Sequence, residues 1–349
     1  MADAVEVAFH REAAAALTGC PRAIVACSGG GDSVALLHLT ARLAPALRPD
    51  LIVAHLDHAL RRGSAVDLRF VSQLAAKLDL PFVAARVDVR ASRRKDESLE
   101  EAARRVRRRF LLDVAKAHGA TAIATGHTLD DQAETILMRL ARGAGPTALF
   151  AMTARGPGPF VKPLLSLTRD ALRRWLAKRR IPYREDPTNA SLAFDRNRVR
   201  RLVLPVLARE LNPAAARHIV DGAARLREDA ILLDTMARER FDALAARRRG
   251  ALTIAADDLG ALPRPIASRV ARIALDEAGC DPRRVTARHV DALLALVIAA
   301  RPASVDLPGR VTARRRGGLV EFRPCLSPAT SSYARSIRGA RSLKQGAFP

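Results

Sequence analysis

The chain has 349 residues, 49% of them hydrophobic but only 4% aromatic, with 59 Lys and Arg against 36 Asp and Glu for a formal net charge of +23. That length suggests about two domains around self-sufficient cores of Leu, Val and Ala, while the four cysteines (Cys20, Cys27, Cys280, Cys325) contain no C-x-x-C pair and argue against a zinc ribbon, an iron–sulfur site or a disulfide framework. So large a cationic excess repels itself and is offset by a polyanionic partner, of which nucleic acid is the natural one. No apolar run reaches the length of about eighteen residues that a membrane span needs, and the acidic, helical stretch 1–11 does not read as a signal peptide.

In chain order, short apolar runs alternate with amphipathic stretches. Strands are predicted at 23–26 (AIVA), 51–56 (LIVAHL), 81–87 and 121–125 (TAIAT), and helices at 33–43, 66–78, 98–118 and 129–142. Strand–helix alternation of this kind predicts an α/β fold with a parallel sheet covered on both faces. Ligands of such sheets bind beyond the carboxyl ends of the strands. Residues 143–163 are rich in Gly and Pro and read as an irregular, loop-forming stretch. A helix follows over 168–180, with Thr168 as its N-cap. Residues 197–246 are helical in pattern and highly charged, including a long helix from Pro213. Further helices at 264–278 and 285–299 precede short strands at 309–313 and 318–322. The expected organisation is a catalytic domain over 1–210, a smaller, mainly helical domain over 211–325, and a basic, disordered tail over 326–349.

The sharpest motif is Ser28-Gly29-Gly30-Gly31-Asp32-Ser33, between the first strand and the first helix of the alternation. A glycine run there lets backbone N–H groups converge on one point, and the helix N-terminus adds its unpaired donors and positive dipole end. Together they make a cradle for a pyrophosphate-like anion, to which the Ser28 and Ser33 hydroxyls can donate. Asp32 beside an anion calls for a cation, and Mg2+ bridging phosphates is the simplest one. The string is neither a Walker A loop, since no G-K-[ST] follows, nor the dinucleotide fingerprint.

Further strings follow the later strands. His55-Leu56-Asp57-His58-Ala59-Leu60-Arg61 follows the second, and its histidines read more readily as hydrogen-bonded structure than as transition-metal ligands. Gly126-His127-Thr128-Leu129-Asp130-Asp131-Gln132-Ala133-Glu134-Thr135 follows the fourth. Two adjacent carboxylates at a ligand-facing strand end are costly unless a cation or amine neutralises them. Capping by Asp131 would explain one of the pair and leave Asp130 unexplained, while Glu134 sits one turn after Asp130 on the same helix. Two basic helical regions are candidate RNA-backbone surfaces. Residues 86–110 carry ten basic and five acidic side chains, and Arg169, Arg173, Arg174, Lys178, Arg179, Arg180 and Arg184 face only Asp170. Trp175, the single tryptophan, belongs in the apolar face of its helix, and so few aromatics argue against a broad base-stacking platform.

The S-G-G-x-D-S string resembles the PP-loop of ATP pyrophosphatases, which split ATP between its α- and β-phosphates and adenylate a substrate oxygen. The His55 and Gly126 strings, Arg142-Gly143-Ala144-Gly145, Asp186-Pro187-Thr188-Asn189 and Arg196-Asn197-Arg198-Val199-Arg200 resemble, in order and spacing, the motifs of the tRNA(Ile)-lysidine synthetase family, over about residues 20–205. The resemblance implies an adenine nucleotide alpha-hydrolase-like fold in a cytoplasmic enzyme. It implies ATP as co-substrate with Mg2+, free L-lysine, and an isoleucine tRNA with a CAU anticodon. The C2 oxygen of the wobble cytidine is adenylated with release of pyrophosphate, then the lysine ε-amine attacks C2 and AMP leaves. Applied to these residues, it gives Ser28, Gly29, Gly30, Gly31, Asp32 and Ser33 to ATP, with Asp32 also at the metal. Asp130, Asp131 and Glu134 go to lysine, and Arg173, Arg174, Arg196 and Arg200 to tRNA. Asp32, Arg105, His127 and Asp131 form the catalytic set, with Arg105 and His127 stabilising the adenylated intermediate. A homodimer is an open expectation, and no membrane partner is expected.

The chain departs from the family pattern mildly at Thr128, where a second His is common, at Lys162 of Lys162-Pro163-Leu164-Leu165, where Arg is common, and at Phe110, where Tyr is frequent. Larger family members carry a further tRNA-binding domain, for which only a short remnant is left here. The nearest rival, a tRNA cytidine thiolase, would carry paired C-x-x-C motifs. Small-molecule amidotransferase-type PP-loop synthetases would not need two basic helices, and a non-catalytic RNA-binding protein would not need the full phosphate string.

Overall fold

The structure is a computed structural model that describes residues 3–43, 48–59, 64–149, 152–156, 158–185, 191–248, 251–282, 284–299 and 302–324. Leu60 and Arg61, the Asp186-Pro187-Thr188-Asn189 string, Cys325 and the expected tail 326–349 lie outside the described residues. The chain divides into two compact units, Met1–Arg227 and Glu228–Pro349.

The first unit opens with α1 (Ala4–Leu17), whose N-cap Asp3 accepts the Val5 N–H at 3.0 Å. Then come β1 (Arg22–Ala26), α2 (Gly31–Ala41), β2 (Asp50–Asp57), α3 (Ser64–Lys77), β3 (Phe82–Arg86), α4 (Leu99–Ala117), β4 (Ala122–Ala124) and α5 (Leu129–Ala141). The short α6 (Pro146–Leu149) and β5 (Phe160–Val161) lead to α7 (Arg169–Lys178). Next are α8 (Asp195–Arg198), a π-helical turn at Val199–Val203, α9 (Leu204–Glu210) and the long α10 (Ala215–Leu244), within which the division between the units falls.

The five strands form one parallel sheet in the order β3-β2-β1-β4-β5. β1 is central, with Ile24 level with Ile52 on one side and Ile123 on the other. Side chains alternate across a strand, so Ala23 and Val25 join the core shared with Phe9, Leu36, Leu37, Leu172 and Trp175, while Ile24 joins the opposite core with Ile52, Leu111, Val114 and Ile123. Burial on both faces is why the sequence shows near-continuous apolar runs. The chain moves outward from β1 through β2 to β3 and returns to β4 on the other side of β1. That reversal is the switch point where open parallel sheets bind ligands, and the Ser28 and Gly126 strings leave β1 and β4 there.

The Gly- and Pro-rich stretch, expected as irregular, carries the edge strand β5. A strand of two residues has no periodicity to reveal it. Its order comes from pairing, with Ile123 N–H donating to the Pro159 carbonyl at 2.7 Å and Thr125 N–H to Val161 at 3.0 Å.

The second unit contains the end of α10, then β6 (Ala245–Arg248), β7 (Ala251–Ala255), α11 (Ala256–Ala261), α12 (Arg264–Glu277), α13 (Ala287–Ile298), β8 (Ser304–Leu307), β9 (Val311–Arg316) and β10 (Leu319–Pro324). Its strands form an antiparallel sheet ordered β6-β7-β10-β9-β8, packed on the helices through Ile254, Leu259, Val270, Leu275, Leu293, Val320 and Phe322. The expected helical domain therefore also contains a five-stranded sheet, of which only β9 and β10 were foreseen. β6 reads Ala-Ala-Arg-Arg, a helix-favouring string that pairing with β7 overrides.

Candidate active site

The glycine turn is built as its composition suggests. Gly29 has φ +91°, a conformation costly for any residue with a Cβ, and Gly30 is the N-cap of α2 without a side-chain cap. The first-turn amides of Gly31, Asp32 and Ser33 thus open α2 without an intrahelical acceptor. Ser33 knits the turn internally: its hydroxyl donates to the Gly30 carbonyl at 2.9 Å, accepts the Ser28 N–H at 3.1 Å and lies 3.2 Å from the Ser28 hydroxyl. Two outside segments brace it. A Cβ on Gly126 would sit 3.2 Å from the Asp32 carbonyl and the Ser33 Cα, so β4's exit packs bare backbone on the first turn of α2. After α7, the Arg184 N–H donates to the Gly29 carbonyl at 2.9 Å, its guanidinium pairs with Asp67 of α3 at 2.5 Å, and the Tyr183 ring lies against Gly31.

The acidic string converges on this turn. Thr128 and Asp131 form a capping box at the start of α5, with Asp131 Oδ2 accepting the Thr128 N–H at 2.8 Å. Asp130 accepts the backbone N–H of Arg169 at 2.7 Å, which accounts for the second carboxylate. Asp131 and the fully buried Glu134 also meet three guanidiniums. Arg196 reaches Glu134 at 2.7 Å and Asp131 at 3.0 Å, and Arg200 reaches them at 2.6 and 3.2 Å. Arg169 contacts Asp131 at 3.0 Å and Glu134 at 3.4 Å, and its Nε reaches Asp32 on α2 at 3.2 Å. Burial pushes the Asp131 carboxyl up, but Arg196 and Arg169 outweigh it and hold the group below the ordinary carboxylate range. The Asp32 carboxyl is pushed up, chiefly by burial and with Asp131 adding to it, while Arg169 opposes the rise.

His127, at the exit of β4, stands between this acidic cluster and a cationic one. Burial, with Arg107, Arg196 and Lys162 nearby, lowers its pKa to about 4, against the pull of Asp131. It is therefore neutral at physiological pH. The Thr125 hydroxyl lies 3.0 Å from His127 Nδ1 and 3.3 Å from the Val161 carbonyl, which ties the imidazole to the β4–β5 edge. Arg107 of α4 is solvent-exposed, and its pKa is lowered by partial desolvation against the surrounding protein and then by the neighbouring cations Arg104 and Arg196. Lys162 is lowered by burial and by Arg104 and Arg108, and Arg108 stacks on the Phe160 ring at 4.5 Å. Cations crowded together this way favour an anion between them.

Of the residues singled out in the sequence, the fold brings together Asp32, His127, Asp130, Asp131, Glu134, Arg196 and Arg200, the last two against carboxylates rather than at an open surface. Arg105 points elsewhere, to Glu97 at 2.8 Å and the Ser92 carbonyl at 2.7 Å. Arg173 and Arg174 are solvent-facing and pair with the exposed carboxylates Glu185 and Asp170. Sequence reading counted Arg169, Arg184 and Arg107 among basic helical regions and did not single out Tyr183. The signal for Arg169 was its place directly after the N-cap Thr168, where a basic side chain opposes the helix dipole and so needs another reason to be there. His55, buried, lies with Nδ1 2.9 Å from the Cys27 carbonyl and supports the strand ends.

Mg2+ usually takes one or two protein carboxylates, phosphate oxygens and waters. Asp32, beside the turn and, among the described residues, engaged by Arg169 through Oδ2 alone, fits that role. Among the described residues no three His, Cys, Asp or Glu side chains are grouped to hold a metal by themselves, so phosphate and water would complete the shell.

Comparison with known proteins agrees with this geometry. Residues 5–207 match the PP-loop domain family, and residues 254–320 the TilS substrate binding domain. The chain is 41% identical over 307 residues to a tRNA(Ile)-lysidine synthase of Geobacter sulfurreducens, covering 86% of this chain and 64% of that one. It is 40% identical to one of Thermus thermophilus (92% and 62% covered) and 39% identical to one of Salinispora tropica (84% and 88%). It thus spans just under two thirds of the length of the first two. The solved U34-tRNA thiolase NcsA of Methanococcus maripaludis, determined with its [4Fe-4S] cluster, shares the fold with TM-score 0.51 at 17% identity, over 63% of this chain and 78% of that one.

Proposed function

The chain belongs to the tRNA(Ile)-lysidine synthase family, and from that premise we propose that it joins free L-lysine to C2 of the wobble cytidine in the CAU anticodon of an isoleucine tRNA, using ATP. The observation that carries this reading is the junction of the Ser28–Ser33 turn with the Asp131–Glu134 pair through Arg169, which joins a phosphate cradle to an amine-binding set. Ser28, Gly29, Gly30, Gly31 and Ser33 hold the ATP phosphates through the α2 N-terminus. Asp32 would hold Mg2+, which would supply positive charge beside the departing pyrophosphate.

The C2 oxygen of the flipped cytidine attacks the α-phosphate, its bond to phosphorus forms, and pyrophosphate leaves. Adenylation has then turned an inert carbonyl oxygen into a leaving group. Arg107, with Arg104 and Lys162 beside it, faces the anionic adenylate, while Arg105 buttresses the 92–97 loop in front of α4. Asp130, Asp131 and Glu134 recognise the ammonium of lysine. The ε-amine attacks C2, AMP departs, and His127 Nε2 accepts the amine proton. Arg173 and Arg174 contact the tRNA backbone, and Arg196 and Arg200 act from inside the site, where they orient the acidic pair. The proposed location is the cytoplasm; no helix among the described residues is long and apolar enough to cross a membrane. A homodimer is proposed from exposed apolar side chains on the π-turn and α9, such as Leu202 and Val206, and light scattering tests it.

The deciding experiment is mass analysis of the anticodon-loop fragment after incubation with ATP and isotopically labelled lysine. The expected product is the fragment heavier by lysine less water, with one AMP and one pyrophosphate released per turnover. Pyrophosphate release without RNA would favour a small-molecule synthetase instead.

A further inference from the structure

The acidic pair leaves no room for a substrate ammonium as it stands. Asp131 Oδ1 accepts from Arg169, Arg196 and Arg200 at 3.0, 3.0 and 3.2 Å, and its Oδ2 accepts from the Thr128 amide and hydroxyl at 2.8 and 3.1 Å. Glu134 Oε1 accepts from Arg200 at 2.6 Å and more distantly from Arg169 at 3.4 and 3.5 Å, and Oε2 accepts from Arg196 and Arg200 at 2.7 and 3.0 Å. A carboxylate has about four lone-pair sites, so both groups are saturated. Charge gives the same answer for this pair: Asp131 and Glu134 are met by three guanidiniums, so the two carboxylates offer an incoming ammonium no net negative charge.

One guanidinium must therefore give way, and the three are not equivalent. Arg196 and Arg200 each make a contact of 2.7 Å or less to Glu134, and neither has an ion pair outside Asp131 and Glu134 among the described residues. Arg169 has the longest contacts to Glu134 and already holds a second acceptor, Asp32. Its backbone is fixed by its N–H bond to Asp130, so its side chain can shift between the two acceptor groups without moving α7. We propose that Arg169 is the positioning residue that lysine displaces: the substrate ammonium replaces it on Asp131 Oδ1 and Glu134 Oε1, and the guanidinium moves wholly onto the Asp32 side, toward the phosphates. The ATP half and the amine half of the site are thereby coupled through one side chain. This inference rests on the proposed use of lysine by the same site.

The test compares Arg169→Gln and Arg169→Lys with the wild-type chain. L-lysine binding is measured by calorimetry with a non-hydrolysable α,β-methylene ATP analogue present, together with the KM for lysine, the KM for ATP and kcat. Arg169→Gln removes the competitor, so lysine binds about tenfold more tightly, the worth of one charge-assisted hydrogen bond, while kcat falls. Arg169→Lys cannot bridge Asp32 and Asp131 at once, so it also tightens lysine binding. A merely structural Arg169 would instead raise the KM for lysine and for ATP together. Lysine binding that is unchanged, weaker or absent in Arg169→Gln overturns the proposal. If that variant fails to fold by circular dichroism, the same result in Arg169→Lys does so. The parent reading is judged separately, on the wild-type chain, by lysine incorporation into the anticodon fragment.

Discussion

Asp32 and His127 are two residues whose chemistry depends on what surrounds them. Asp32 lies in the first turn of α2 and touches Arg169, not the bulk of either core, so its removal should act on chemistry and spare the fold. Asp32→Ala is expected to abolish pyrophosphate release while leaving tRNA affinity within about twofold, since phosphate-backbone contacts dominate that affinity. Filter binding beside a pyrophosphate assay checks this, and normal adenylation by the variant would sink the metal role. His127 has its pKa lowered to about 4 from an ordinary value of 6.5, mainly by burial. The sign follows: from pH 8 down to pH 5 it stays neutral in the folded protein, so one ring nitrogen keeps a free lone pair throughout. His127→Gln is expected to lower kcat by about a hundredfold without altering the shape of the pH–rate profile between pH 5 and 8. A limb near 6.5 that disappears in the variant would contradict this. In the unfolded chain the same imidazole protonates below about 6.5, so it costs the fold stability as pH falls from 6.5 towards 4, and none above.

Between elements, the contact that matters most is that of the β4 exit against α2. Any side chain at position 126 would press on the Asp32 carbonyl and the Ser33 Cα at 3.2 Å. Gly126→Val is expected to raise the KM for ATP by about tenfold or more, corresponding to the 1–3 kcal/mol typical of overpacking. Gly145→Ala, where a Cβ would meet nothing within 4 Å, serves as the tolerated control. Much of this layer was legible in the sequence. β1, β2, α4 and α5 fall within about two residues of where periodicity and caps put them, because each has strong local signals, such as the Ser98–Glu101 and Thr128–Asp131 boxes. β5 and β6 were not legible. Two residues beside prolines and an Ala-Arg string become strands only through pairing with distant neighbours. The candidate site was legible as motifs but not as contacts. Arg196 and Arg200 resemble any exposed basic run until α8 and the π-turn lie over Glu134.

Over the whole molecule, the net charge of +23 makes the proposed association with RNA depend on salt. Arg173 and Arg174 are exposed and paired only with exposed carboxylates, so water-screened pairs of this kind leave each open to a phosphate. Replacing either by Ala is expected to reduce the slope of log affinity against log salt by about 0.7–1, read from titrations at several ionic strengths. An unchanged slope would remove that residue from the tRNA surface. From residue types and spacing alone came the parallel α/β scaffold, the phosphate turn, the expectation of a polyanionic partner and the family resemblance, because periodicity, glycine geometry and charge are local properties of a chain. Which arginines lie against buried carboxylates and which stay at the surface was decided only by tertiary structure. Ion pairing depends on distance in space, and Arg169 meets Asp32 across 137 positions of sequence.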